Sequence, residues 1–524
     1  MTQTAISVSG TSTDREPSPP RRALGLIIVF AATKLLLHLL TTAFTPYGIH
    51  RDEFLYLAMG QHLHFWRMDF PPAIAVLANA ARFLFGDTLF AIRFFPALAG
   101  IAIVVLTGFL AREFGGGRFA QGLAMCAVLC CGLFLRPASL FQPVVFDQLW
   151  WTLGFFALAK ISQTTGPRWW WLLGVAGGLG LLTKFSIGFF ALGVVVAFLL
   201  TPQRRVLATR WPYLAALLAL AVGSASLIGQ LRLDWPVLIH MGELRSQQLS
   251  RVTYADFLLG QLGMLGPILV LALAGLVSLL WGSFLRAFRA LGWICVASFL
   301  QLLLLHGKPY YLGPIYPMLF AAGAAALGNS TRRWVRIPTM ILLLLIIVGG
   351  LIGLPMGLPI LPPAQMARYA AALGDKSAVT TNRKEVLSLP QDYADMLGWE
   401  EQVAAVARAY ESLPPGQRSQ AVLLARNYGE AGALEFFGPR HGLPSTILLP
   451  DNFLLWPPPT NRTCEVVVSI GISEGDLAAF FSSVRLVTRF DHPWMVPEEK
   501  QVPICIAEHP VRDAREAWHE RKRQ

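Results

Sequence analysis

Charge is scarce in this 524-residue chain: 14% of its residues are Asp, Glu, Lys or Arg, against about 25% in an ordinary soluble domain. That excludes a typical cytosolic enzyme and a disordered protein. Cysteine is scarce as well, at six residues, and none has zinc-type spacing. Cys126, Cys130, Cys131 and Cys295 lie inside apolar runs, where a thiol behaves as a small hydrophobe. Cys464 and Cys505 lie in the tail and could pair only if it faces an oxidising compartment. The N-terminus does not read as a cleavable signal peptide. Its polar stretch runs to Arg22 and is followed by an apolar run too long for an h-region.

What is abundant is apolar. Hydrophobic residues make up 54% of the chain, mean hydropathy is +0.52, and the surplus is confined to residues 23–357. A formal charge of +12 would suggest nucleic acid in a soluble protein. Here the Lys and Arg residues fall in short loops between apolar runs, the usual mark of membrane topology.

Windows of about 20 apolar residues centre on 23–43, 92–111, 119–136, 143–160, 169–183, 185–200, 211–230, 258–281, 290–306, 310–328 and 337–357. The expected fold is therefore a polytopic α-helical membrane protein of about eleven spans with a soluble C-terminal α/β domain. One set of loops carries Arg112, Arg118, Lys160, Arg168, Arg204, Arg205, Arg210, Arg286 and Arg289, with Glu113 almost the only acid. That asymmetry makes 1–22 a cytoplasmic tail, 23–357 the membrane domain and 364–524 an extracytoplasmic domain. In the tail, AVLLARNY, STILLP, EVVVSIG, VRLVTRF and PICIAE read as strands with helices between some of them, which suggests a mostly parallel sheet. No phosphate-binding glycine fingerprint occurs there, and the tail reads as accessory. Asn461-Arg462-Thr463 is a glycosylation sequon that matters only in a secretory context.

The outer loops hold the chemistry. In the first, 44–91, Asp52 and Glu53 open an amphipathic stretch as acids do at a helix start. Phe54, Leu57, Ala58 and Phe65 suggest that this helix lies in the membrane interface. Asp69-Phe70-Pro71-Pro72 is a turn before a second interfacial helix. Asp147 lies at the outer end of a span, Lys184 between two others, Arg232 after the seventh and Lys308 before Tyr310-Tyr311. Carboxylates and cations at one membrane face suit a lipid-linked anionic substrate. The cations bind phosphate, and a carboxylate takes a proton from the attacking group. His62 and His64, two apart, point to different sides of a helix and do not form one metal site. A divalent metal linking Asp52 or Glu53 to a distant His240 or His306 stays open. Lys34 and His38 lie mid-span and should face the bundle interior.

HRDEFLYLAMGQHL with DFPP, GDTLFAIR, AREFGGGRFAQ, FDQLWW, GLGLLTKFS and GKPYYLGPIYP, in that order over about 23–330, resemble the bacterial family-39 glycosyltransferases, relatives of the protein O-mannosyltransferases and of the aminoarabinose and galacturonic-acid transferases. The resemblance implies a GT-C membrane fold. It also implies a polyprenyl-phosphate sugar as donor, a protein, lipid or glycan as acceptor, and inverting transfer outside the cytoplasmic membrane. It makes Asp52 the catalytic aspartate, with Glu53, Asp69 and Asp147 as further acidic site residues and Lys308 to Tyr311 as donor-phosphate contacts. Lys184 and Arg232 join that phosphate set from charge placement alone. The aminoarabinose transferases carry a Lys in the acidic turn and an Arg after the Asp-Glu pair; here those positions are Phe70 and Leu55, a departure that bears on the acceptor. The rival reading is a transporter or flippase, which would place charge near the midplane in interrupted helices. A scaffold protein whose tail does the binding is the third.

Overall fold

The computed structural model describes residues 23–164, 166–374, 376–381, 383–444, 447–448, 456 and 465–511. The tail 1–22, Cys464 and the 461–463 sequon lie outside the described residues. Six helices are each long and apolar enough to cross a membrane: Leu24–Phe44, Leu89–Glu113, Pro143–Ile161, Arg286–Leu304, Pro309–Gly328 and Arg333–Gly357. Among the described residues four bent helix pairs bring the number to as many as ten by length and composition, and the shorter Arg168–Thr183 helix fills the expected 169–183 window. The 258–281 window, read as one straight span, is instead Tyr254–Leu265 and Ile268–Trp281 at 110° to each other. The cause is Gly266-Pro267: Gly266 has φ +50°, and a proline cannot continue the ladder. The 119–136 window likewise breaks by 76° after Cys130. Lys34, fully buried, donates to the Phe134 carbonyl beyond that break at 2.8 Å. This answers the cost of an ammonium inside a span with a backbone acceptor.

The helices run between two polar ends. At one end Lys160 donates to Glu113 at 2.9 Å, Gln203 to the Ala287 carbonyl at 3.1 Å, and Asn329 to the Gly115 carbonyl at 2.8 Å. The other end carries the Arg51–Gln61 and Ala73–Phe85 helices, as read from the sequence, and the C-terminal domain packs over it. Phe54, fully buried, meets Trp399, Phe436 and Phe437 edge-on at ring distances of 5.9, 6.1 and 5.7 Å. Leu57 and Ala58 are buried with it. The apolar face of Arg51–Gln61, expected to lie against lipid, is therefore covered by protein, chiefly the Tyr428–Phe437 helix.

Among the described residues the tail holds five strands, one in each of the five segments expected: β1 Val422–Ala425, β2 Ile447–Leu448, β3 Val466–Ile470, β4 Phe481–Phe490 and β5 Val502–Pro510. Their order is β2-β1-β3-β5-β4. β1 pairs in parallel with β2 and β3, but β5 is antiparallel to both β3 and β4. The sheet is thus mixed, because the chain returns from β4 to β5 through a short connection rather than a helical crossover.

Candidate active site

The site is built on the start of the Arg51–Gln61 helix. His50 is its N-cap: the Asp52 N–H donates to His50 Nδ1 at 3.0 Å, and Glu53 accepts the His50 N–H at 2.7 Å, a reciprocal capping box. Glu53, fully buried, also accepts from the Phe141 N–H at 2.8 Å and from Arg93 Nε and Nη2 at 3.2 Å each. Arg93, also buried, reaches on to the Gly48 carbonyl at 2.8 Å. Glu53 therefore ties the first loop, the Leu89–Glu113 helix and the approach to Pro143–Ile161 together. Expected to orient Asp52 or to hold the acceptor, it has both oxygens already hydrogen-bonded within the protein.

Asp52 is half-buried. Gln142 Nε2 donates to its Oδ2 at 3.0 Å, and the Tyr428 hydroxyl to its Oδ1 at 2.8 Å. Two donors from distant elements thus fix the carboxylate plane. The Tyr428 phenol is pushed well above its ordinary pKa, by burial first and then by the Asp52 charge. It stays a donor at any working pH. Arg51 stacks over the Tyr428 ring at 5.4 Å and pairs with Glu498 and, at 3.8 Å, with Asp395. The Arg51 N–H and the Asp395 carbonyl are joined at 3.0 Å, as are the Gly48 N–H and the Met396 carbonyl at 3.1 Å. These bonds join the first loop to the C-terminal domain.

Lys308 and Lys184 come to the same place. Lys308 Nζ stands 6.0 Å from the Tyr310 ring centroid and Lys184 Nζ 5.0 Å from that of Tyr311, and the two rings pack edge-on at 4.8 Å. Burial lowers the Lys308 ammonium to about 8; the charges of Asp52 and Asp392 work against that and the charge of Lys184 works with it. Burial also lowers Lys184, and Asp147 opposes it. Asp52, Asp147, Lys184, Lys308, Tyr310 and Tyr311 thus form one electrostatic group, a chain that links Asp52 through Lys308 and Lys184 to Asp147.

Asp69 lies on the other part of the first loop, and Arg232, the last residue of the Ser224–Arg232 helix, reaches that part. Asp69 accepts the Phe70 N–H on Oδ1 at 3.0 Å, and its carbonyl accepts from Gln230 at 2.6 Å. Arg232 is exposed and reaches the Trp66 carbonyl at 3.5 Å, which ties the end of its helix to the first loop. His306 contacts the Val252 carbonyl at 2.8 Å and stacks on Tyr254, while His240 packs edge-on to Phe70. His62 pairs with Glu435 at 3.0 Å. Among the described residues no three His, Cys, Asp or Glu side chains are grouped to hold a metal.

Residues 69–228 match the family model described as dolichyl-phosphate-mannose-protein mannosyltransferase. Asp52 and Lys308 lie outside that stretch. A segment of 135 residues, 26% of the chain, is 29% identical to an uncharacterized protein of Aquifex aeolicus (strain VF5) and spans 27% of that protein's length. Among solved structures, ArnT from Cupriavidus metallidurans in the apo state superposes with a TM-score of 0.64 at 16% identity, over 93% of this chain and 98% of that one. The same protein bound to undecaprenyl phosphate gives 0.60 over the same shares, also at 16% identity. The apo oligosaccharyltransferase of Archaeoglobus fulgidus gives 0.51 at 12% identity, over 79% of this chain and 63% of that one. The chain has the GT-C membrane fold of these proteins, with a small C-terminal sheet. The likeness to family-39 glycosyltransferases therefore rests on the family model and the fold as well as on the motifs.

Proposed function

We propose that this protein is an integral membrane glycosyltransferase that moves a sugar from a polyprenyl-phosphate donor to an acceptor hydroxyl, with inversion, at the outer face of the cytoplasmic membrane. The observation that carries the reading is a half-buried, doubly hydrogen-bonded Asp52 within reach of the Lys308 charge, with Lys184 next to Lys308 on the packed Tyr310–Tyr311 pair. Asp52 accepts the acceptor's hydroxyl proton as that oxygen bonds to the anomeric carbon. The bond from that carbon to the phosphate oxygen breaks, and the electron pair leaves with the polyprenyl phosphate. Lys308 and Lys184 hold the phosphate, and charge growing on it is met by fixed positive groups in a site of low polarity. Tyr310 and Tyr311 hold those two ammonium groups in place from the ring faces. Asp147, buried, favours the charged form of Lys184 against the burial that lowers it. A sugar phosphate is already activated, so the reaction needs no strong acid for the leaving group.

The test is release of polyprenyl phosphate from a labelled lipid-phosphate sugar by the full chain in detergent. Wild-type protein should release it, and Asp52→Asn should not, with unchanged melting temperature. Undiminished release by Asp52→Asn would overturn the role of Asp52. Intact donor moved across vesicles by the wild-type protein would overturn the enzyme reading in favour of transport.

A further inference from the structure

A cavity of about 660 Å³ lies at the far end of the bundle from Asp52. Three helices establish the separation. Pro143–Ile161 starts beside Gln142 and ends with Leu158, Ile161 and Ser162 in the cavity wall, about 28 Å away at 1.5 Å per residue. Ile187–Leu200 starts just after Lys184 and brings Phe198 to the wall. Arg289–Leu304 starts in the wall with Arg289, Ala290 and Leu291 and runs toward Lys308.

The lining has two kinds of surface. Leu158, Ile161, Phe198, Val206, Leu291 and Ile294 are apolar. Arg286, Arg289 and Gln203 supply the polar groups together with Ser162, and the lining contains no acidic residue. Gln203 is committed to the Ala287 carbonyl at 3.1 Å, which pins the 202–208 turn against the arginines. Arg289 Nε is buried without a hydrogen-bond partner in the protein. A guanidinium N–H out of water and unpaired is costly, and an anion would satisfy it. Arg204 and Arg205 on the same turn add positive charge nearby.

We propose that this cavity binds the phosphate headgroup and upper acyl chain of an anionic phospholipid, separately from the donor site. A free phosphate would use Arg286 and Arg289 but leave the apolar walls wet. A neutral lipid would use the walls but carry no net charge for the arginines. Only a ligand with both parts fits the whole lining, and basic pockets between spans on the face of short Arg-rich loops are where anionic headgroups gather.

The experiment is a fluorescence titration of the full chain in delipidating detergent with a dansyl-labelled phosphatidylglycerol. Unlabelled phosphatidylglycerol, phosphatidylcholine and inorganic phosphate serve as competitors. We expect saturable binding displaced by unlabelled phosphatidylglycerol and about tenfold less well by phosphatidylcholine. Arg286→Ala with Arg289→Ala should weaken binding by about tenfold or more. Ser162→Trp, which fills the cavity and leaves both arginines, should weaken it too, and serves if the arginine variant fails to fold. Equal displacement by phosphatidylcholine, full displacement by inorganic phosphate, or unchanged binding in a folded variant would each overturn the assignment.

Discussion

The Tyr428 hydroxyl donates to Oδ1 of Asp52 at 2.8 Å across 376 positions of sequence, so this carboxylate is held by the C-terminal domain as well as by the membrane domain. A hydrogen bond to a charged group is worth about 1.5–3 kcal/mol. Tyr428→Phe should therefore lower kcat by about ten- to a hundredfold while leaving the donor KM nearly unchanged. Steady-state kinetics with a labelled donor checks this, and an equal rise in KM would assign Tyr428 to donor binding instead.

The approach that makes this bond possible rests on glycine. A Cβ on Gly432 would sit 2.6 Å from Phe54 Cβ and 2.9 Å from its backbone carbon, and one on Gly429 would sit 2.5 Å from Arg51 Cγ. Gly432→Val should push the Tyr428–Phe437 helix away from Arg51–Gln61. Overpacking of that kind costs about 1–3 kcal/mol. A lowered melting temperature, together with a kcat reduced as in Tyr428→Phe, is the expected result.

Lys308 sets a limit at alkaline pH. With its ammonium lowered to about 8, it is charged below that pH and neutral above it. Donor kcat/KM, which reports the free enzyme, should fall as pH rises through about 8. Lys308→Arg keeps its charge over the whole range, so its profile should lack that decline. A wild-type profile flat across this range would remove Lys308 from phosphate binding.

Glu53 and Arg93 form a pair with side chains 0% and 2% exposed. Removing one charge of a buried pair costs about 3–5 kcal/mol. Glu53→Gln should lower the melting temperature by several degrees and reduce transfer through a displaced Asp52. A variant of normal stability that is inactive would instead make Glu53 a reacting group.

Asp52, Lys184 and Lys308 stood out as candidates in the sequence because charge is rare beside apolar spans, whereas the tyrosine pair was singled out by the resemblance. The spans were legible as lengths but not as lines. Gly266-Pro267 marks a break, yet 110° is set by packing against Pro309–Gly328 and its neighbours. Gln142 gave no signal, being one amide among many. Tyr428 had one: Asn427 and Glu430 form a capping box around it, and Gly429 and Gly432 follow at the spacing of a close helix contact. The interfacial reading of Arg51–Gln61 failed because an apolar stripe does not say whether lipid or protein covers it. The mixed sheet was missed because strand direction depends on how β4 connects to β5, not on strand composition.

Covering the Phe54 face with the tail also orders events in biosynthesis. The first loop leaves the ribosome early, while the helix that buries it and steadies Asp52 is made some 370 residues later. Until that last portion arrives, the early loop exposes grease to its surroundings and its aspartate lacks one of its two anchors. A chain that stops short of Tyr428 thus lacks part of what steadies its aspartate.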